Sequence, residues 1–371
     1  MCGTSAAHIR HICVPSRGTQ GRVKLNDIFR GRRHRPRRAK QVGALCLISK
    51  VEANVSKTGY FTHGDCRRHE MGQGHPECPE RLDVIEDRLL ISGVGDALTR
   101  LDAPLASLDE IELAHGRMHV ASLRGLSATL REEVQAGGPG YVQIDPDTAM
   151  NVHSWDAILR GAGAALAATD AVIAGDLENA FCAIRPPGHH ACRDKAMGFC
   201  FVNNVAMAAK YALDRHGLRR VAIVDFDVHH GNGTEDIVAG DDRILMVSFF
   251  QHPFYPHGGA VSDAENMVNV PVPAYTKGME IRELIEMLWL PRLEAHKPEM
   301  IFISAGFDAH REDDMGQLGL VEADYAWITQ RMKDVARRFS KGRIVSCLEG
   351  GYNLSALSRS VEAHLRVLAD L

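Results

Sequence analysis

At 371 residues, with 45% apolar and 24% charged side chains, the chain has the size and composition of a globular protein with one large α/β domain or two smaller ones. No apolar run approaches the ~20 residues of a membrane-spanning helix, so no membrane association is expected. Nine cysteines, an odd number with no CxxC pair, do not form a disulfide framework and point to a reducing, cytoplasmic setting.

The net charge of −4 hides an asymmetry. Residues 1–40 hold eleven Lys/Arg against one acid, Asp27, which gives +10 and leaves −14 for the remainder. The densest stretch, "FRGRRHRPRRAK", has the composition of a nucleic-acid-binding arm or an Arg-rich targeting peptide. It has no apolar periodicity, so residues 1–57 read as a disordered basic extension without a structural role, and nucleic acid is not expected as a partner. The domain proper opens near Gly59, at "GYFTHGD".

From there short apolar runs alternate with helical patterns. Strands are expected at "AFCAI" (180–184), "VAIVDF" (221–226), "ILMVSFF" (244–250), "MIFISA" (300–305) and "RIVSCLE" (343–349). Helices are expected over 203–217, 281–296 and 322–339; the first has Asn203 or Asn204 as N-cap and Gly217 as its stop. Such alternation predicts a parallel sheet flanked by helices. With no repeat and no Pro- or Ser-rich linker after residue 60, one domain is expected over 58–371.

Four of the five strands end in chemically loaded residues, and ligands bind at the carboxyl ends of strands in open α/β sheets. "AFCAI" leads to His189 and His190, "VAIVDF" to Asp225, Asp227, His229 and Asn232, "MIFISAGFD" to Asp308, and "RIVSCLEGGY" to Gly351 and Tyr352. In an extended segment residues i and i+2 point the same way, so Asp227 and His229 can grip one ion, with Asp308 as the natural third ligand. Mixed nitrogen and oxygen donors without thiolate suit zinc, and also iron(II) or cobalt(II). The rival is an Asp–His hydrogen bond without metal, which a second carboxylate at a neighbouring strand end disfavours.

Two carboxylates neutralise a divalent ion, so its water is acidified less than in an all-histidine site and a separate base is needed. His189 and His190 supply imidazoles, with Asp225 available to orient one and Asn232 the other. A carboxylate partner raises a histidine's basicity and an amide does not, so the two should titrate differently. Tyr352, after two glycines, can donate a hydrogen bond to a developing oxyanion.

"RPPGHHA", "MGFCFVNN", "DFDVHHGNGTE", "SAGFDAH" and "LEGGY", with "HEMGQGHPECPERL" at 69–82, resemble the zinc-dependent histone deacetylase family over roughly residues 58–371. The resemblance implies the arginase–deacetylase α/β fold, a single domain with a central parallel sheet of about eight strands. It also implies zinc, one ion per chain, on Asp227, His229 and Asp308. His190 matches the general base, His189 its electrostatic partner paired with Asp225, and Tyr352 the tyrosine that polarises the carbonyl. Asn232 stands where class II-like and many bacterial members have asparagine. Gly198 and Phe199 match one side of an acyl-lysine tunnel and Gly351 a further substrate contact. The opposite wall, usually phenylalanine, falls on Tyr255, with Phe254 as the alternative. A structural potassium ion is implied near Asp225, Asp227, His229, Ser248 and Phe249.

The implied activity is hydrolysis of an acyl, chiefly acetyl, group from the amine of acyl-lysine in peptides or proteins. Deacetylation of acetylpolyamines or other small amides is the alternative. A binuclear arginase-like hydrolase and a silent binding module are more distant. Polyamine-selective relatives carry glutamate seven residues after the last zinc ligand; here that position is Met315, which offers no counter-charge. Glu312, Asp313 and Asp314 precede it and could form a cation-attracting rim.

Overall fold

The structure, a computed structural model, describes residues 57–371, so the basic stretch read as an extension lies outside the described residues, apart from residue 57. Ten strands form among them: β1 (Thr58–Thr62), β2 (Thr99–Asp102), β3 (Tyr141–Asp145), β4 (Thr148–Asn151), β5 (Asn179–Cys182), β6 (Val221–Asp225), β7 (Ile244–Gln251), β8 (Met267–Val272), β9 (Ile301–Ala305) and β10 (Ile344–Leu348). Eight make one sheet in the order β2-β1-β5-β10-β9-β6-β7-β8, and each neighbouring pair is parallel. β3 and β4 form a separate antiparallel hairpin. The expected α/β architecture, a parallel sheet of eight strands flanked by helices, is the one found.

The four central strands β5, β10, β9 and β6 are buried along their whole length. Their apolar runs were legible because both faces of a central parallel strand are covered. β1, β2 and β8 were not anticipated. β2 (TRLD) is a short, largely exposed edge strand, and β8 (MVNVPV) carries an outward Pro271 that only an edge strand tolerates.

Asn203 caps the helix Asn204–Asp214, its side chain accepting from the Ala206 N–H at 2.9 Å. The segment 281–296 is not one regular helix. It runs Gly278–Leu284, loosens into a π-helical turn over Ile285–Trp289, and resumes over Leu290–His296, where Pro291 supplies no N–H to the preceding ladder.

The helix Ser154–Ala174 departs from the sequence reading. Its 21 residues, of mean hydropathy 1.4 over their most apolar window, are long and apolar enough by composition to cross a membrane. Asp156, Arg160 and Asp170 interrupt the run in the sequence and hid it. In the fold it packs against β5, β10 and β1, with most of its apolar residues buried.

Candidate metal and catalytic site

β6 ends at Asp225, and the chain turns at once through Asp227 and His229. Backbone N–H groups hold this turn open: Asp227 donates to Asp225 Oδ1 at 3.1 Å, and His229 to Asp227 Oδ1 at 2.9 Å. Asp308, beyond β9, accepts from the Val228 N–H at 2.9 Å through Oδ1. Gly350, beyond β10, donates to Asp227 Oδ2 at 2.9 Å. A Cβ on Gly350 would sit 2.1 Å from Asp308 Oδ2, and one on Gly306 2.0 Å from Asp227 Oδ2, so the neighbouring chains can approach the carboxylates only as glycine.

Asp227, His229 and Asp308 converge as the sequence predicted, and among the described residues they are the one set of three side chains placed to share an ion. His229 Nδ1 lies 3.0 Å from Asp227 Oδ1 and 3.2 Å from Asp308 Oδ2. Zinc bonds of about 2.0–2.1 Å put tetrahedral ligands about 3.3–3.4 Å apart, so the cluster fits a small divalent ion. Asp308 Oδ2 is buried with no hydrogen-bond donor in good geometry. Burial pushes the Asp308 carboxyl up to about 7, with Asp227 adding to the effect. Burial alone would push His229 down, but the two carboxylates raise it to about 10. Such a group of donors calls for a cation.

The tandem histidines lie beside it with different partners. His189 Nδ1 is 3.0 Å from Asp225 Oδ2, and His190 Nδ1 is 2.7 Å from Asn232 Oδ1. Burial opposes a charge on His189, but Asp227 and Asp225 outweigh it and hold its pKa well above the imidazole range. His190 is pushed well below that range by burial and by the charges of His189 and His229. The two imidazoles are thus pushed in opposite directions, His190 by its burial and charged neighbours and not by its amide partner.

Above them a cavity of about 180 Å³ is lined by His190, His229, Gly198, Phe199, Tyr255 and Tyr352, together with Asp147, Phe254 and Met315. Phe254 stacks on His229, ring centroids 5.4 Å apart, and Tyr255 stands edge-on to His190 at 5.2 Å. Both line the cavity, so Tyr255 and its alternative share that wall. Gly351 does not line it. Its φ of 118° requires glycine, and it lies against Phe307 and Leu357 behind Tyr352. Burial and Asp308 raise the Tyr352 phenol well above its usual range, so it is a proton-bearing donor. Ser248 and Phe249 are buried on β7, and Ser248 is in register with Asp225.

Several residues that shape the site were not singled out from sequence. Asp147 reaches the cavity from the β3–β4 turn, a hairpin the patterning did not show. Glu349 Oε2 accepts from the N–H groups of Gly188 and His189 at 2.6 and 3.0 Å, fixing the backbone that carries both histidines. Arg81, wholly buried, donates to the carbonyls of Glu349 and Gly351 at 2.5 and 2.7 Å, and its guanidinium lies 4.9 Å from the Tyr352 ring. Glu77 binds Arg81 at 2.9 Å and Arg185 at 2.5 Å. "HPECPERL" was the available signal for Glu77 and Arg81, and "LEGGY" for Glu349.

Residues 75–368 match the Histone deacetylase domain family. The chain is 43% identical over 246 residues to Type-2 histone deacetylase 2 of Dictyostelium discoideum, an alignment covering 60% of this chain and 14% of that much longer protein. It is 36% identical over 287 residues to the Histone deacetylase-like amidohydrolase of Pseudomonas aeruginosa, covering 76% of this chain and 73% of the relative. Among solved structures it resembles the HD domain of HDA15, with a TM-score of 0.77 and 32% identity, over 85% of this chain and 90% of that one. A family match across most of the length, and a fold and hydrolase relatives that agree with it, lead to one conclusion: the chain belongs to the histone deacetylase family and is a hydrolase of amide bonds.

Proposed function

We propose that the protein is a zinc-dependent deacylase that releases acetate from acetyl-lysine in peptides or proteins. The observation that carries this reading is the cavity itself: a narrow space walled by Phe199, Phe254, Tyr255 and Met315, with His190, His229 and Tyr352 also facing it. Apolar walls suit the four-carbon stem of lysine, and the polar residues would meet the amide at its end.

Asp227, His229 and Asp308 would hold the zinc ion, which when bound supplies Lewis acidity for the amide carbonyl and the attacking water. His190 donates from Nδ1 to Asn232 Oδ1, which leaves Nε2 as the lone pair that takes the water's proton. His189, held charged by Asp225, stabilises negative charge nearby. Tyr352 donates its phenolic hydrogen to the oxyanion that forms as water adds. His190 then returns the proton to the departing amine. A structural potassium ion near Asp225, Asp227, His229, Ser248 and Phe249 belongs to the same proposal. A reducing, cytoplasmic setting is proposed with it.

The acids just before Met315 offer a polyamine little counter-charge. Of the three acids before Met315, Glu312 pairs with Arg359 at 2.8 Å. Asp313 is buried and accepts from the N–H groups of Met315, Tyr352 and Asn353. Only Asp314 of the three is left to draw a cation. Mass spectrometry of an acetyl-lysine peptide incubated with the zinc-loaded protein tests the activity: loss of the acetyl group is expected, and an unchanged peptide would refute it.

A further inference from the structure

A second cavity, of about 750 Å³, adjoins the tunnel and has no part in the chemistry above. Its walls are the loop after Asp308, residues 311–319, and Tyr275 and Lys277 beyond the end of β8. The two cavities share a ridge: Met315 lines the tunnel, while Asp314 and Gly316 on either side of it line the second cleft. A polypeptide that has its acylated lysine in the tunnel and runs over this ridge, at about 3.3–3.6 Å per extended residue, brings its neighbours to the cleft within a few positions.

The cleft is held in shape by its backbone. The Tyr275 N–H donates to the Gln317 carbonyl at 2.7 Å, the Gly319 N–H to Thr276 at 2.9 Å, and the Gln317 N–H to Gln251 Oε1 at 2.8 Å. Tyr275 adopts a φ of 70° although it is not glycine, and it is 72% exposed. A strained backbone carrying an exposed aromatic ring is not explained by packing, and such strain gathers at binding sites.

Charge indicates the occupant. Lys277 and Arg311 are exposed, and neither has an ion-pair partner among the described residues. Asp314 is the one exposed acid in the wall, since Asp313 is buried and occupied by three N–H donors. Among its exposed side chains the cleft therefore sets two positive charges, Lys277 and Arg311, against one negative, Asp314, beside a tyrosine platform.

We infer that this cleft binds the flank of the substrate peptide and selects acyl-lysine sites that have an aspartate or glutamate within about four residues of the acylated lysine. The inference rests on the deacylase reading and adds a sequence preference to it.

The test uses acetyl-lysine peptides in which one flanking position at a time is Glu, Gln or Lys, with N-acetyl-lysine methylamide as a substrate too short to reach the cleft. At low salt, Glu at one or two positions should raise kcat/KM over Gln by about three- to tenfold, the range open to exposed ion pairs with two cations. High salt should shrink this preference. Lys277→Glu with Arg311→Glu should reverse it toward Lys and leave the methylamide's turnover unchanged. Equal rates for Glu, Gln and Lys at every position, or a preference that survives charge reversal, would overturn the inference while leaving the deacylase reading intact. Should no substrate turn over, the deacylase reading fails by itself. Anisotropy of the same peptides then decides the cleft, tighter binding with Glu supporting it and equal binding overturning it.

Discussion

His190 and Asn232 are joined by a 2.7 Å hydrogen bond in which the imidazole Nδ1 donates to an amide oxygen, while the adjacent histidine has a carboxylate in the same position. The Asn232 amide nitrogen in turn faces sulfur, Cys192 at 3.4 Å and Met197 at 3.5 Å, so its oxygen is committed to His190. Asn232→Asp places a negative charge at Nδ1 and should raise the pKa of His190. A base with a higher pKa stays protonated to a higher pH, so the acid limb of the kcat/KM profile should move upward by about one to two units. Metal content should not change. An unmoved profile would separate Asn232 from the base.

Tyr352 holds its position through its backbone, which donates to Asp313 at 2.6 Å, and through Arg81 at its ring, so its hydroxyl is free for the substrate. Tyr352→Phe should keep the fold and the metal and lower kcat by about 10²–10³. Near-normal turnover would remove the phenol from the mechanism.

The metal assignment separates ligands from the base. Alanine at Asp227, His229 or Asp308 should abolish tight zinc binding and activity together. His190→Ala should keep one ion per chain, measured by plasma mass spectrometry, and be nearly inactive. Chelation should inactivate the native protein, with zinc restoring it. Loss of metal from His190→Ala would mean that a ligand has been taken for a base.

Glu77 gives the fold a pH dependence of its own. Burial pushes its carboxyl up, but Arg185 and Arg81 outweigh this and hold it at about 2. A depressed carboxyl contributes stability that is complete above the unfolded pKa of about 4.3 and is lost as pH falls toward 2, about 3 kcal/mol in all. Urea midpoints should drop across that window in the native protein. Glu77→Gln should be less stable by about 3–5 kcal/mol, because two buried guanidinium groups lose their counter-charge, and its acid slope should flatten. Equal acid slopes in the two proteins would contradict this.

The central strands and the metal set were legible because burial on both faces writes an unbroken apolar run, and Asp, His or Gly residues follow each run within a few positions. Edge strands β2 and β8 mix polar with apolar residues, and the β3–β4 hairpin carries no such run, so Asp147 went unseen. Glu349, Arg81 and Glu77 act through contacts distant in sequence, and a buried charge has no local pattern that distinguishes it from a solvated one. The rim shows the same limit. Glu312, Asp313 and Asp314 look alike in sequence, and only the fold shows that the first is paired and the second buried.

The claim that this site is an acyl-lysine tunnel, and not a polyamine pocket, is tested most directly by kcat/KM for an acetyl-lysine peptide against N8-acetylspermidine and N-acetylputrescine, with zinc-loaded protein at equal salt. With Met315 at the mouth and two of the three neighbouring acids engaged internally, the peptide should be the better substrate. A clear preference for either polyamine would contradict the account.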